Sequence, residues 1–350
     1  MHRLATLALA LLALLLSGPV TGPGAVASPA IGPADGVRAV PVPAEAGAVD
    51  TSDPDRWVGN GTPQSCTSRA VVRAVAAGGV IGFRCGPDPV TIELRKTAKV
   101  VNTSRRVVLD GGGLVTLSGG GERRILYQNT CDPKQTWTTS HCNDQAKPRL
   151  VLQHLTLADG NATGERADGG GGGAVFVRGG RLKIVDVTFT GNRCDRTGPD
   201  LGGAAVRVLD QHRDQPAYVV DSTFTGGRCS NGSALSSIGV SWEVYNSTFT
   251  DNRAIGRGAN PARSGTPGGG SGGAIYADGN DFHVLVAGTS ITGNVAREGG
   301  GAIFFVSNDR TGTLTVRSST LSDNPSLGFE TDPGIFFLGR RQRLVDSVVE

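Results

Sequence analysis

Residues 217–254 read AYVVDSTFTGGRCSNGSALSSIGVSWEVYNSTFTDNRA, the same short pattern twice over. Val219 and Phe224 in the first copy correspond to Val244 and Phe249 in the second. Asp221 corresponds likewise to Asn246, and Arg228 to Arg253. Apolar residues alternate with polar ones, so each copy holds short strands with one buried face. The Asp or Asn between the strands is of the type that accepts a left-handed backbone at a tight turn.

The pattern extends in both directions. Leu157, Phe189, Phe224, Phe249, Ile291, Leu321 and Val349 align as an anchor column. Seven residues upstream stand Leu150, Leu182, Ala217, Trp242, Val284, Leu314 and Gln342, and five upstream Leu152, Ile184, Val219, Val244, Val286, Val316 and Leu344. Three upstream lies the turn column His154, Asp186, Asp221, Asn246, Gly288, Ser318 and Asp346. Before most of these strands comes a second signature, two small residues and then an apolar run, as in Gly172-Gly173-Ala174-Val175-Phe176 and Gly272-Gly273-Ala274-Ile275-Tyr276. Each repeat therefore carries about three short strands.

Anchor spacings of 32, 35, 25, 42, 30 and 28 residues place loops of variable length in a fixed coil. Propeller blades and leucine-rich repeats hold their period more tightly. The reading is an all-β chain, a single right-handed parallel β-helix whose coils stack Phe189, Phe224 and Phe249 inside. Asn192, Asn252, Asn294 and Asn324, three residues past the anchor, read as a structural ladder interrupted by Gly227.

The ends of the chain differ from the repeat. Arg3 and the apolar run Leu4 to Leu16 lead to Ala25-Val26-Ala27, so residues 1–27 read as a signal peptide. The run is too short for a membrane anchor, and secretion is the expectation. Residues 28–60, rich in Pro, Gly and Ala, read as a flexible leader. The β-helix domain then spans 61–350, opening with a capping helix on which Val71, Ala74, Val75 and Gly78 share a face, with Ser65 or Thr67 as N-cap.

Six cysteines in an exported chain imply disulfides. Cys66–Cys85 would staple cap to first strand, and Cys131–Cys142 would close the loop around Trp137. Cys194 and Cys229 both stand five residues after their anchors. Neighbouring in-register strands lie about 4.8 Å apart, which suits a Cys194–Cys229 bond.

The Gly-Gly-Ala-Ile segment followed by Phe-Thr-x-Asn resembles the polymorphic outer membrane protein repeats. Cys66-Thr67-Ser68-Arg69-Ala70-Val71 is similar to the start of bacterial CSLREA-type β-helix proteins in its cysteine and arginine. The resemblance covers about residues 65 to 349 and implies the pectin-lyase-like fold in a surface or secreted protein.

Chemistry is sparse. Lys+Arg number 34 against 31 Asp+Glu, which gives no reason to expect nucleic acid. Neither the aspartate cluster of polygalacturonases nor the Trp-Ile-Asp-His run of lyases occurs, and the five histidines lack ligand spacing. Arg193, Arg228 and Arg253 share the position four past the anchor, a candidate strip for an extracellular polysaccharide. On the purely structural alternative, Asp195, Asp200, Asp251 and solvent supply the counter-charge. Asp210, Asp214, Asp278, Asp281 and Asp309 share another edge, but Arg213 and Arg310 interleave, which suits a solvated turn face better than a metal site.

Three functions follow in order. The first is a monomeric, cofactor-free secreted scaffold that recognises polymer without catalysis. The second is a Ca²⁺-dependent polysaccharide lyase with Arg228 or Arg253 as base and Asp251 on the metal. The third is a structural envelope protein. Three convergent carboxylates beside an arginine along the Gly-Gly-Ala strands would favour the enzyme.

Overall fold

The computed structural model describes residues 37–350; the expected signal peptide lies outside them, as does the leader up to residue 36. Every strand pair in its three sheets is parallel, and successive coils hydrogen-bond in the order of the sequence. The chain is a right-handed parallel β-helix, the hand that parallel crossovers take. A long sheet of 16 strands carries the anchor strands and those just upstream, folded over the turn column. A sheet of eight strands carries the Gly-Gly-Ala segments, and a small third sheet of three strands lies between them.

The sequence alignment matches the observed register. Phe189 pairs with Phe224 and Phe224 with Phe249, then Ile291 and Leu321 follow. The three rings stack inside with centroids 4.6 and 4.7 Å apart, nearly coplanar in tilt. All seven turn-column residues have positive φ, from 47° at Asp346 to 60° at Gly288. A second left-handed column, two residues past the anchor, was not read from the sequence: Asp159, Gly191, Gly226, Asp251, Gly293 and Asp323.

Helix α1 (Ser68–Ala77) closes the amino-terminal end. Thr67 caps it by accepting from the Ala70 amide at 3.2 Å, and Val71, Ala74 and Val75 are buried against the first coils. The three disulfides join the expected pairs, with Cα separations of 5.6 Å (Cys66–Cys85), 4.9 Å (Cys131–Cys142) and 4.8 Å (Cys194–Cys229).

The leader departs from expectation. Residues 37–58 are not a flexible tether but a strap lying across the outside of the long sheet. Ala46 is buried among Val185, Val220, Tyr245 and Ala287, with Val40 and Val42 packed alongside. The Val40 amide donates to Asn246 Oδ1 at 2.9 Å, and Val49 exchanges two hydrogen bonds of 3.0 Å with the Gln153 side chain. The strap then turns into β1 (Arg56–Val58), which pairs with β2 (Gly79–Phe83). Four outward positions of the coil are apolar, and burying them drives the docking. Composition alone did not reveal this, because the strap has no period of its own.

Candidate functional site

After each anchor strand the chain makes a turn that presents consecutive residues to opposite sides. The asparagine of each turn points inward. Asn252 donates to Asn294 Oδ1 and Asn294 to Asn324 Oδ1, both at 2.9 Å, and each also bonds a main-chain carbonyl. At the break the Gly227 amide donates to Asn252 Oδ1 at 3.0 Å, so the ladder continues through main chain. These amides are spent on structure.

The next residue points outward. Arg193, Arg228 and Arg253 are exposed, and Arg228 pairs in parallel register with Arg193 on one side and Arg253 on the other. The row ends at Val295, the partner of Arg253 in the next coil. Adjacent rungs stand about 4.8 Å apart. Between unit charges at that distance water leaves only about 1 kcal/mol of repulsion. The fold therefore tolerates the row, while an anion beside it is favoured.

The counter-charges expected on the structural alternative face elsewhere. Asp195 lies 3.7 Å from Arg166 and accepts from the Gly164 amide. Asp200 accepts from Asn260 at 2.7 Å. Asp251 holds a left-handed turn position with φ of 55°. Arg228 and Arg253 make no ion pair with any described residue, and Arg193 donates to the Gly121 carbonyl.

Asn161 pairs with Arg193 at the other end of the row, and its amide donates to the Arg123 carbonyl at 2.9 Å. From Leu157 to Asn161 is four residues, but from Leu117, its partner in the coil below, to Arg123 is six, so Arg123 does not share the column counted from the anchor. Arg123 also donates to the Leu94 carbonyl at 2.5 Å and pairs with Glu122.

The eight-stranded sheet carries a second outward row: Tyr127, Phe176, Arg207, Ser236, Tyr276 and Phe304 pair in succession. The long loop 254–271 folds over it, and Asn260 donates to Asp200, Tyr276 and Asp278. Arg207 is fully buried and donates to Ser236 and to the Asp200 carbonyl. Burial pushes its guanidinium down to about 10, so it stays charged at neutral pH. Burial also raises the Asp278 carboxyl, against hydrogen bonds from Tyr276 and Asn308. Carboxylates here are tied to donors within the loop. Among the described residues no group of three or more His, Cys, Asp or Glu side chains is disposed to hold a metal ion. Asp251, the metal ligand of the lyase alternative, holds a left-handed turn position. Asp210, Asp214, Arg213 and Arg310 likewise occupy left-handed turn positions on the opposite edge.

One family model matches part of the chain. Residues 246–278 match the model of the Chlamydia polymorphic membrane protein repeat. That repeat begins at the turn residue Asn246, takes in Phe249, Asn252 and Arg253, and ends on Asp278, at the far end of the Gly-Gly-Ala strand. It therefore includes the ladder, the arginine row, the covering loop and one strand of the eight-stranded sheet. Neither a curated protein nor a solved structure matches the chain. No helix among the described residues is long and apolar enough to cross a membrane, which says nothing of β-barrels.

Proposed function

We propose that this protein is a surface or secreted β-helix scaffold that holds an anionic polymer, an acidic polysaccharide, along the row Arg193, Arg228 and Arg253 without catalysing its cleavage. The observation that carries the reading is the exposure of Arg228 and Arg253 on adjacent rungs with no carboxylate partner among the described residues. Guanidinium groups at a fixed repeat suit carboxylates or sulfates spaced along an extended chain. Three disulfides fit an oxidising compartment outside the cytosol. The description of the matched repeat as a membrane protein repeat, and the export signal read over residues 1–27, point the same way.

Retention on an immobilised uronate polymer tests it. Wild type is retained at low salt and released as salt rises, because exposed charges are screened over about 8–10 Å at ordinary ionic strength. Replacing the three arginines by serine abolishes retention, with circular dichroism unchanged and stability shifted by no more than about 0.5 kcal/mol per site. Equal retention of both proteins would leave only a structural envelope role.

A further inference from the structure

A second basic feature lies at the capped end. A surface cavity of about 850 Å³ opens between α1, the first strands of the eight-stranded sheet and the loop closed by Cys131–Cys142. That volume falls within the usual range of small-molecule sites, roughly 300–1,000 Å³. Its cations are Lys96, Lys99, Lys134, Arg123 and Arg124, and its carboxylates are Asp132 and Glu165.

Both carboxylates are already engaged. Asp132 accepts from the Lys134 amide at 2.9 Å, from Gln135 at 3.0 Å and from the Tyr127 hydroxyl at 3.3 Å. Burial opposes its charge, but these hydrogen bonds outweigh burial and hold the carboxyl below its ordinary value. Glu165 lies 3.8 Å from Arg124, which is buried and donates to the carbonyls of Gly171 and Gly172. Lys96 and Lys134 are exposed, and their ammonium groups make no ion pair or hydrogen bond with any described residue. Lys99 stands over the Tyr127 ring, 5.4 Å from its centroid. Positive charge is thus in excess inside a concave site, where it raises the local concentration of anions.

The walls are built rather than adaptable. Asn102 Nδ2 donates to the Trp137 carbonyl at 2.7 Å, and Thr130 Oγ1 to the Cys142 carbonyl at 2.6 Å, which fixes the loop to the coil. A preformed cavity spends little of its binding energy on ordering. Arg123 of the cavity accepts through its carbonyl from the Asn161 amide, and Asn161 pairs with Arg193, so the cavity adjoins the end of the arginine row.

We infer that this cavity is a binding site for the end of an anionic glycan, a short saccharide whose charge comes from uronate carboxylates or from sulfate esters. Lysine ammonium groups act as point charges and accept either oxyanion without a fixed fork geometry. The inference rests on the proposed polymer binding, with the chain end in the cavity and the chain body along the arginines.

The test titrates the full chain with a uronate trisaccharide and, separately, a sulfated disaccharide, by calorimetry at low salt. The wild type binds one or both, and the one that binds identifies the source of charge. The double variant Lys96→Ser/Lys134→Ser weakens that binding by about ten-fold or more, the loss of one to two charge-assisted contacts. These side chains are exposed and make no hydrogen bond or ion pair with any described residue, so the variant keeps its fold; Lys96→Glu/Lys134→Glu must weaken binding further. The arginine-row variant still binds the short saccharide, while its retention on polymer separates the two claims. Loss of polymer retention with no effect of the lysine substitutions overturns the cavity alone. Absence of binding of both saccharides to wild type overturns it as well.

Discussion

Asn252 and Arg253 are neighbours in the chain, and their rows run side by side along the helix, yet they have opposite fates. The Asn252 side chain is buried and bonded to the rungs on either side. Arg253 beside it faces water with no ion pair among the described residues. Both rows repeat because the coil repeats, so periodicity alone does not separate structure from function. What separates them is the direction the backbone gives each side chain and whether its polar groups are satisfied. An inward polar group must be bonded or the coil is destabilised. An outward one is free for a ligand.

Loss on the inward side has the largest expected effect. Phe224→Ala removes the middle of the three-ring stack and should cost about 3–5 kcal/mol, read as a shift of the urea midpoint. A loss below about 1 kcal/mol would mean that the stack is not the core that holds the coils. Asn294→Ala removes the Oδ1 that accepts from the main-chain and side-chain amides of Asn252, and should cost about 1–3 kcal/mol in the same assay. If it were as neutral as the arginine substitutions, the contrast between the two rows would collapse.

The smallest effect concerns outward polar groups that do have partners. Asp110 accepts from Thr51 of the strap, Gln153 and the Gly112 amide, and meets His154 Nδ1 at 3.1 Å. Burial opposes the Asp110 charge, but these bonds hold its carboxyl well below the ordinary 3.8. The bond to Asp110, against burial, raises His154 above the ordinary 6.5, and the charges of Asp110 and Asp186 add to it. The Asp110 contribution is present above its ordinary value and lost as pH falls toward the lowered one. That of His154 is present below 6.5 and lost as pH rises through the raised value. His154→Asn, which keeps a residue suited to positive φ, should therefore lower the melting temperature most near pH 5 to 6 and least above neutrality. A difference independent of pH would show that the histidine serves only as a turn residue.

The strap shows why part of the structure was hidden from the sequence. Val185, Val220, Tyr245 and Ala287 hold the column four before the anchor, outward and apolar in consecutive coils. That column was visible as a sign of something covering it. Which segment does so was not, because residues 37–58 are extended and aperiodic, with Pro41 and Pro43 fixing local backbone but no partner. The place of Arg123 was hidden for a similar reason: it lies six residues past Leu117, outside the repeat's count, and only the tertiary structure brings it to the cavity.

The repeat by itself determined the coil, its inner column, the first column of left-handed turns and the Cys194–Cys229 pair. Each follows from local rules of alternation, turn chemistry and strand spacing, and these act at fixed offsets along the chain. Charge pairing and cover do not act at fixed offsets. Whether Asp195 or Asp200 neutralises Arg193, whether a leader folds back, and whether lysines from α1's neighbouring loops converge on one cavity depend on how unequal loops return over the sheets. Only the tertiary structure decided these, because side chains far apart in sequence meet through loop paths that no periodicity encodes.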